Sequence, residues 1–471
     1  MTNDLLPLPS ERQLAFHERQ YGAFVHFGMA SWYDAEQAVF PESLRVPYAF
    51  DLRSWGLMVA QPPAHTFDPT MLDAGQWART ARTMGARHIV LTAKHHNGYC
   101  LWPTETTDYC VRNSSWRDGH GDVLREFADA TRAAGLGVGL YISAGDVNQE
   151  CFSTPEPQGQ RRLIGNIDSY FPVFAEQFRE ILTEYGELCE IWLDGALDPF
   201  GPDVRRADGT PVGPGYWDRL IATARSLQPH AVIMGGTQPD IRWPGNEDGL
   251  APYPLHYLVA PGQEAVNYLP PAATGWIVPE ADVFTRPTWF WTPESDGALL
   301  SLERLHAIYL RSVGHGANLL INMTPDRRGL IPEAEVRRLS EFGHAIRACY
   351  GMPIAETNSE GRWNDAVTLV LTWESPTPVT AIILEEDLRF GQRVTRYRIE
   401  ADIAGCWQPI TEGTTIGRCR IERFADARHT RRLRLCILAS TALPKIRRFA
   451  AFTSGAIGFL VGNCSSTRLY T

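Results

Sequence analysis

Up to about residue 345, short apolar runs alternate with longer stretches whose apolar positions recur at helical spacing. The runs that predict strands cover residues 22–29, 87–96, 137–143, 189–195, 231–236 and 317–323. The stretches that predict helices cover residues 73–86, 121–136, 169–186, 215–229 and 302–316. Strand–helix alternation at this spacing is typical of parallel βαβ units, and strands that are apolar on both faces indicate a sheet covered by helices.

This pattern predicts an α/β fold in which residues 1–347 form a (β/α)8-like TIM barrel that carries the active site. A doubly wound open sheet is the alternative, but no phosphate-binding glycine loop follows the first predicted strand. Residues 236–293 are rich in Pro and Gly and lack clear periodicity. We expect them to form long irregular loops that decorate one face of the barrel.

From about residue 350 the pattern changes to short alternating or β-branched runs, separated by turn residues at intervals of about ten residues. This spacing predicts an antiparallel β-sandwich for residues 348–471. The module could bind glycans or simply cover the barrel. Structural support is favoured, because the sequence shows no cluster of exposed aromatic residues there.

Composition and charge exclude several classes of function. The chain has 471 residues, a net charge of −10 and a pI near 5.8, which argues against a nucleic-acid partner. No apolar run approaches the roughly 20 residues of a membrane span. The nine cysteines form no CxxC pair and the N-terminus has no secretory pattern, so we expect a cytoplasmic protein with reduced thiols. The oligomeric state stays open, a homo-oligomer included.

Polar side chains lie at the ends of four predicted strands: His26, the pair His95 and His96, Tyr141, and Asp194. In a parallel barrel these carboxyl ends converge on one rim, where the active sites of such barrels lie. Asp194 taken alone, directly before a glycine, is better explained as a turn residue. Several polar strand ends from different strands favour a functional site, since a structural explanation must account for each one separately.

The two adjacent histidines raise the question of a metal. Neighbouring residues of a strand point to opposite faces, so His95 and His96 would bind one ion only if the strand bends. The sequence has no HxH, HExxH or clustered Cys/His spacing, and Lys94 would repel a cation. We therefore expect no metal and no organic cofactor. Imidazoles, each with one donor and one acceptor, suit hydrogen bonding to a neutral polyol.

Two carboxylates on a tryptophan-rich rim suggest glycoside hydrolysis, which needs one ionised carboxylate and one protonated acid. Asp194, at a strand end, suits the nucleophile. Glu247, in the loop sequence DIRWPGNEDG, suits the acid/base, and Glu280 is the fallback. Arg242 and Arg286 are either salt-bridge residues or groups that tune a neighbouring carboxylate, and the sequence does not separate these readings.

Seven stretches between about residues 11 and 343 resemble the α-L-fucosidases of glycoside hydrolase family twenty-nine. They are YGAFVHFGM, GQWARTARTMGARHIVLTAKHHNGYCLWPTETTDY, AGLGVGLYIS, EIWLDGA, PDIRWPGNEDG, PEADVFTRPTWFW and GHGANLLINMTPDRRGLIP. The resemblance implies a retaining double displacement without a cofactor, with Asp194 at the nucleophile position and Glu247 as acid/base. It also implies a fucose pocket drawn from His26, Trp32, Glu36, His95, His96 and Tyr141. We further expect Arg242, Arg286 and Trp289 to bind the substrate.

Three departures from the family pattern concern the leaving-group side. Asn97 follows the histidines where the family usually has Asp, Gln37 follows Glu36 where related loops have Trp, and Gly145 stands where a Trp was expected. The expected partner is a fucosylated oligosaccharide or glycoconjugate, with α-1,3/1,4 linkages favoured by the loop resemblance. The alternatives are an α-1,2 or α-1,6 fucosidase, a galactosidase, or an inactive carbohydrate-binding protein.

Overall fold

The structure, a computed structural model, describes residues 7–32, 62–156, 160–195, 197–260, 274–359 and 368–453. A closed eight-stranded barrel forms the larger part of it. Its strands are, in chain order, β1 Tyr21–Val25, β2 His88–Lys94, β3 Gly137–Ser143, β4 Glu190–Asp194, β5 Val232–Met234, β6 Ile241–Arg242, β7 Val278–Val283 and β8 Asn318–Met323. Neighbouring strands pair in parallel around the ring, and β8 closes it against β1. The predicted TIM barrel is confirmed.

Helices alternate with the barrel strands and cover them. They are α1 Glu11–His17, α2 Ala74–Met84, α3 Val123–Ala133, α4 Ile167–Thr183, α5 Gly215–Leu227, α6 Leu302–Arg311 and α7 Glu333–Tyr350. Helix α2 begins where Asp73 accepts a hydrogen bond from the Gln76 amide, and it ends at Gly85, whose φ of 102° favours glycine. Asp122 caps α3 in the same way. These caps fix the residues at which α2 and α3 begin and at which α2 ends.

The irregular loops predicted for residues 236–293 are partly wrong, because this stretch contains the barrel strands β6 and β7. Strand β6 is only two residues long and lies between prolines at positions 239 and 244, so no periodic pattern can develop. Strand β7 contains Pro279 and two acidic residues, which removes the apolar run expected of a buried strand. The two strands pair in parallel with each other within the ring.

The C-terminal part, predicted as an antiparallel β-sandwich, forms a separate six-stranded antiparallel sheet. Its strands are β9 Ala355–Thr357, β10 Thr368–Glu386, β11 Val394–Ile403, β12 Cys406–Gly413, β13 Arg420–Ser440 and β14 Ile446–Phe452. The predicted boundary at residue 347 lies inside α7. The long strands β10 and β13 pair over most of their length, with register shifts that let the sheet bend.

The sheet packs against the amino-terminal end of the barrel. The Arg418 backbone N–H donates to the Tyr257 hydroxyl at 2.9 Å, and Arg418 also forms an ion pair with Glu18, just after α1. Because the strands' carboxyl ends lie at the opposite end, these contacts leave that rim uncovered by this part of the sheet. None of the described helices combines the length and the apolar character needed to cross a bilayer.

Candidate active site

Asp194 is the last residue of β4, and two donors converge on one of its oxygens. The Tyr141 hydroxyl donates to Asp194 Oδ2 at 2.5 Å, and His96 Nε2 lies 3.3 Å from the same oxygen. Tyr141 comes from β3, whose register places Ser143 beside Asp194. The side chain of Asp194 keeps 19 % of its surface exposed, so the carboxylate is enclosed but reachable.

The charge state of Asp194 follows from these neighbours. Burial by itself raises the pKa of the carboxyl, but the charge and hydrogen bond of His96, the Tyr141 hydroxyl and the nearby His95 outweigh it. The pKa of Asp194 is therefore held well below its ordinary value. Burial, followed by the Asp194 charge, raises the pKa of Tyr141 well above its usual range, so the phenol keeps the proton that it donates.

The two adjacent histidines reach the same side of the barrel because the chain bends after β2. The register between β2 and β3 shifts between Thr92 and Lys94, and the strand ends at Lys94. The rings of His95 and His96 lie 4.3 Å apart. His96 Nδ1 contacts Ser143 Oγ at 2.5 Å, which orients the other ring nitrogen toward Asp194.

The bend depends on a glycine and on Asn97. Gly98 has a φ of +83°, and a Cβ on it would lie 2.2 Å from Asp146 Oδ1. Asn97 accepts a hydrogen bond from the Tyr99 backbone N–H at 2.9 Å through its side-chain oxygen. An aspartate could accept the same bond, so this departure from the family pattern preserves the turn.

Lys94, which points away from this site, forms a buried ion pair behind it. Its Nζ lies 3.1 Å from Asp146 Oδ2, and both side chains are fully buried. The ammonium also donates to the Tyr170 hydroxyl and to Gln177 Oε1, each at 2.9 Å. Lys94 and Asp146 therefore brace the loops after β2 and β3.

His26 lies just beyond β1, and its tautomer follows from a chain of hydrogen bonds. Asn322 Nδ2 donates to the Trp289 carbonyl at 2.8 Å, which leaves Asn322 Oδ1 as the acceptor facing His26 Nδ1 at 2.8 Å. The proton is thus on Nδ1 and Nε2 is an acceptor. Burial lowers the pKa of His26 to about 3, despite the opposing effects of Asn322 and Asp194, so the ring is neutral near pH 7.

Aromatic rings surround these polar groups. His95 stacks on Tyr141 with centroids 5.3 Å apart, and Trp289 lies 4.6 Å from the His26 ring. Phe290 meets both His26 and His95 edge-on. Such a wall offers apolar faces together with the imidazole donors and acceptors, the combination that a deoxysugar needs.

Glu247 follows β6 in a loop held by backbone contacts. The next residue, Asp248, forms a β-bridge with Val283 at the end of β7. Asn246 accepts from the Leu250 backbone N–H at 3.2 Å and donates to the Leu250 carbonyl at 2.9 Å. The Glu247 carboxylate acts electrostatically on the Tyr141 hydroxyl, the same group that binds Asp194. The structure therefore brings Glu247 into the neighbourhood of Asp194.

Asp282 is an acid of this neighbourhood that the sequence reasoning missed. It lies on β7, is 4 % exposed, and accepts a hydrogen bond from Trp243 Nε1 at 2.8 Å. Burial and the charge of Glu247 raise its pKa well above the ordinary value, and Asp194 adds to the effect. The sequence feature that could have identified Asp282 is its spacing of two residues from Glu280, which puts both side chains on the same face of a strand.

The structure does not bring Glu280, the fallback acid/base, to the rim. Its side chain lies in the barrel interior beside His88 and Glu190. Glu190 begins β4 and Asp194 ends it, a separation of about 13 Å at 3.3 Å per residue. The expectation failed because Glu280 was assigned to a loop, whereas it lies on a barrel strand near the amino-terminal end.

The two predicted arginines make their hydrogen bonds and ion pairs with other parts of the protein. Arg242 Nη2 donates to the His256 carbonyl at 2.5 Å, and burial lowers the pKa of this arginine to about 10. Arg286 is 1 % exposed and pairs with the buried Glu335, with Nε 2.9 Å from Oε2. Arg242 thus contacts a backbone carbonyl and Arg286 a buried carboxylate, and sugar binding by either arginine stays a prediction.

The remaining predicted residues fall at the edge of what the structure describes. Trp32 packs against Phe27 and Phe67 next to the rim. Glu36 and Gln37 lie outside the described residues. At Gly145, a Cβ would lie 2.6 Å from the Leu197 carbonyl oxygen and 2.8 Å from Leu197 Cβ. Leu197 thus occupies the space that a Trp at position 145 would need.

Within the described residues, His95, His96 and Asp194 offer ligand atoms within 4.8 Å of one another. His96 and Asp194 already have protein partners in Ser143 and Tyr141. The arrangement can hold an ionised carboxylate beside hydrogen-bond donors and acceptors without an ion. The prediction that no metal is required stays a prediction.

Comparison with known proteins agrees with this geometry. Residues 8–235 match the family model described as alpha-L-fucosidase. Alpha-L-fucosidase 1 of Arabidopsis thaliana is 31 % identical over 472 residues, covering 92 % of this chain and 85 % of the plant protein. Alpha-L-fucosidase of Dictyostelium discoideum is 26 % identical, covering 70 % and 68 %. A glycoside hydrolase 29 family member from an unknown rumen bacterium superposes with a TM-score of 0.78 at 29 % identity, covering 96 % and 78 %. The chain belongs to the α-L-fucosidases, glycoside hydrolase family 29.

Proposed function

We propose that this α-L-fucosidase is a retaining, exo-acting enzyme that removes terminal fucose by double displacement, with Asp194 as nucleophile and Glu247 as acid/base. The observation that carries the proposal is the pair of donors on Asp194 Oδ2, from Tyr141 at 2.5 Å and from His96 at 3.3 Å. They hold the carboxylate ionised despite its burial. An ionised, oriented carboxylate is what the first step requires.

In the first step Asp194 attacks the anomeric carbon and the bond to the glycosidic oxygen breaks. Because both donors act on Oδ2, the attacking atom in this mechanism is Oδ1. Glu247 gives its proton to the departing oxygen, so the leaving sugar departs as a neutral alcohol. The developing positive charge on the fucose ring is stabilised by the Asp194 carboxylate beneath it.

In the second step Glu247, now ionised, takes a proton from water. The resulting oxygen attacks the anomeric carbon from the face that the leaving group vacated, and the bond to Asp194 breaks. Two inversions give net retention. Tyr141 and His96 donate again to the released carboxylate, which lowers its basicity and makes it a better leaving group.

Sugar recognition in this proposal uses the groups around Asp194. His26 Nε2 accepts a hydrogen bond from a fucose hydroxyl, since its Nδ1 proton is engaged by Asn322. His95 supplies a further polar partner at the rim. Trp289 and Phe290 offer an apolar wall for the C5 methyl group, and a hydroxymethyl group placed there would bury its hydroxyl without a partner.

We also propose α-1,3/1,4-linked fucose as the preferred substrate class. The support is the resemblance of the loop sequence DIRWPGNEDG around Glu247 to the corresponding loop of related fucosidases. The other linkages, and galactosides, are the competing outcomes.

The experiment is hydrolysis of fucosylated oligosaccharides of defined α-1,2, α-1,3, α-1,4 and α-1,6 linkage, with the first-formed anomer of the released sugar observed by NMR. We expect α-fucose to appear first, and the α-1,3 and α-1,4 substrates to be cleaved fastest. Initial β-fucose would overturn the retaining mechanism. Preference for a nitrophenyl galactoside over the corresponding fucoside would overturn the substrate assignment.

A further inference from the structure

A second cluster of ionisable side chains lies inside the barrel at the amino-terminal ends of three strands. His88 begins β2, Glu190 begins β4 and Glu280 lies on β7, and their side chains are at most 1 % exposed. His88 Nε2 lies 3.1 Å from Glu190 Oε2 and 4.0 Å from Glu280 Oε1. One ligand atom from each residue falls within 4.8 Å of the other two.

These polar atoms share a space but do not satisfy one another. Both ring nitrogens of His88 and both carboxylate oxygens of Glu190 and of Glu280 make no hydrogen bond of full geometry among the described residues. Glu280 approaches the side chains of Glu190 and Trp192, and the Trp192 Nε1 donor is likewise left without a hydrogen bond of full geometry. The 3.1 Å contact of His88 is therefore a close approach whose donor direction does not meet the oxygen. Asn318 is paired in register with Glu280, and its side-chain oxygen is likewise buried without a partner.

The charges in this cluster also need compensation. Two carboxylates lie together, and within the described part of the chain their ion pairs involve His88 and no lysine or arginine. Two buried acids and one imidazole without a cation are costly to desolvate, since buried charge is tolerated when it is paired or binds a metal.

We propose that His88, Glu190 and Glu280 bind a divalent transition-metal ion of the zinc or manganese class. One imidazole nitrogen and two carboxylate oxygens are ligands that such ions take, and the ligand separations leave room for an ion about 2.0–2.2 Å from each. The Asn318 oxygen, beside Glu280, is the candidate fourth ligand. The ion supplies both the positive charge and the missing bonds.

The role of the proposed ion is structural. The site ties together β2, β4 and β7, three strands that end at or beside His95, Asp194 and the Glu247 loop. The ligands lie at the other end of the barrel from Asp194 and do not contact it. Phe16 of α1 packs edge-on against the His88 ring with centroids 5.7 Å apart, so the ion is enclosed once the barrel has folded.

The test is elemental analysis of the untagged, full-length protein, expressed in medium containing zinc and manganese and then dialysed against EDTA. We expect about one equivalent of one ion per chain, because the native site is enclosed. Unfolding in guanidinium with a chelator should release it. Refolding without metal should lower the midpoint of thermal unfolding, and refolding with the ion should restore it.

His88→Gln should lower the metal content to background, whereas His306→Gln, which changes another buried histidine whose partner is Tyr350, should leave it unchanged. If His88→Gln does not fold, the metal content of the wild-type protein alone tests the proposal. The proposal would be overturned if wild-type protein held less than about 0.1 equivalent of any transition metal, both as purified and after refolding with zinc or manganese. Because the readout is metal content, its failure leaves the assignment of Asp194 untouched.

Discussion

The Tyr141 hydroxyl donates a hydrogen bond of 2.5 Å to Asp194 Oδ2, across the paired strands β3 and β4. Strand pairing places Tyr141 beside Trp192 and Ser143 beside Asp194, so the phenol reaches the carboxylate diagonally. A hydrogen bond to a charged acceptor in a buried setting is among the strong ones. This bond ties the ionisation of the proposed nucleophile to the geometry of the barrel.

Tyr141→Phe should therefore impair catalysis while keeping the stacking on His95. Removal of one charge-assisted hydrogen bond costs about 1.5–3 kcal/mol, which corresponds to a fall in kcat of about 10- to 160-fold. The measurement is steady-state hydrolysis of an aryl fucoside. Tyr99→Phe removes another buried hydroxyl in the loop after β2 and should change kcat less than about twofold. Equal losses in the two variants would contradict a specific role for Tyr141.

A pH profile tests the neutral state of His26. In the wild type burial lowers its pKa to about 3, so Nε2 remains an acceptor down to about pH 5. Asn322→Asp places a carboxylate beside Nδ1, and a nearby opposite charge raises a histidine pKa by about 1–3 units. Protonation then removes the acceptor as the pH falls through the higher pKa.

We expect the acidic limb of kcat/KM to move upward by at least about one pH unit in Asn322→Asp. Asn113→Asp, at an exposed position whose side chain donates to Asp108, serves as the control and should keep the wild-type profile. An unchanged acidic limb in Asn322→Asp would show that His26 does not act as a neutral acceptor.

Gly98 permits the turn that brings both histidines to one side. Gly98→Ala should destabilise the protein and lower kcat, because the φ of +83° is strained for alanine and its Cβ would lie 2.2 Å from Asp146 Oδ1. Gly209→Ala is a matched control, since Gly209 has a φ of +82° with nothing within 4 Å of the added Cβ. Backbone strain alone costs about 1 kcal/mol. Thermal unfolding and kcat should both fall further in Gly98→Ala, and equal effects would refute the steric argument.

Removing one partner of the buried Lys94–Asp146 pair should lower the free energy of unfolding more than removing one partner of an exposed ion pair. Lys94→Met leaves the Asp146 carboxylate buried without its cation, which costs about 3–5 kcal/mol. Arg79→Met breaks an exposed pair with Asp73, whose side chains are 63 % and 45 % exposed, and should cost under about 1 kcal/mol. Denaturant unfolding measures both. A loss in Lys94→Met no larger than in Arg79→Met would contradict the buried pairing.

Much of the fold could be predicted from local patterns. Six of the eight barrel strands have apolar runs bounded by turn residues, and Asp73 and Gly85 mark the ends of α2. Strands β6 and β7 could not be predicted in this way, because β6 is two residues long and β7 carries Pro279, Glu280 and Asp282. Their strand character comes from pairing with neighbours around the ring.

The residues of the candidate site could also be predicted only in part. Asp194, Tyr141 and the two histidines were predictable, since strand ends of a parallel barrel share one rim. The partner of His26 was not, because Asn322 lies 296 residues away in sequence and only closure of the barrel brings it near. The position of Glu280 was predicted wrongly for a local reason. The strand that carries it also contains Pro279 and Asp282, so no apolar pattern identifies a strand or shows to which face the Glu280 side chain points.

The most direct test of the central claim is to trap the covalent intermediate. A 2-deoxy-2-fluoro fucosyl fluoride should inactivate the enzyme, because the fluorine slows hydrolysis of the fucosyl–enzyme ester. Proteolysis and tandem mass spectrometry should then place the fluorofucosyl group on Asp194, and Asp194→Ala should remain unlabelled. A label on Glu247, or on any residue other than Asp194, would contradict the account.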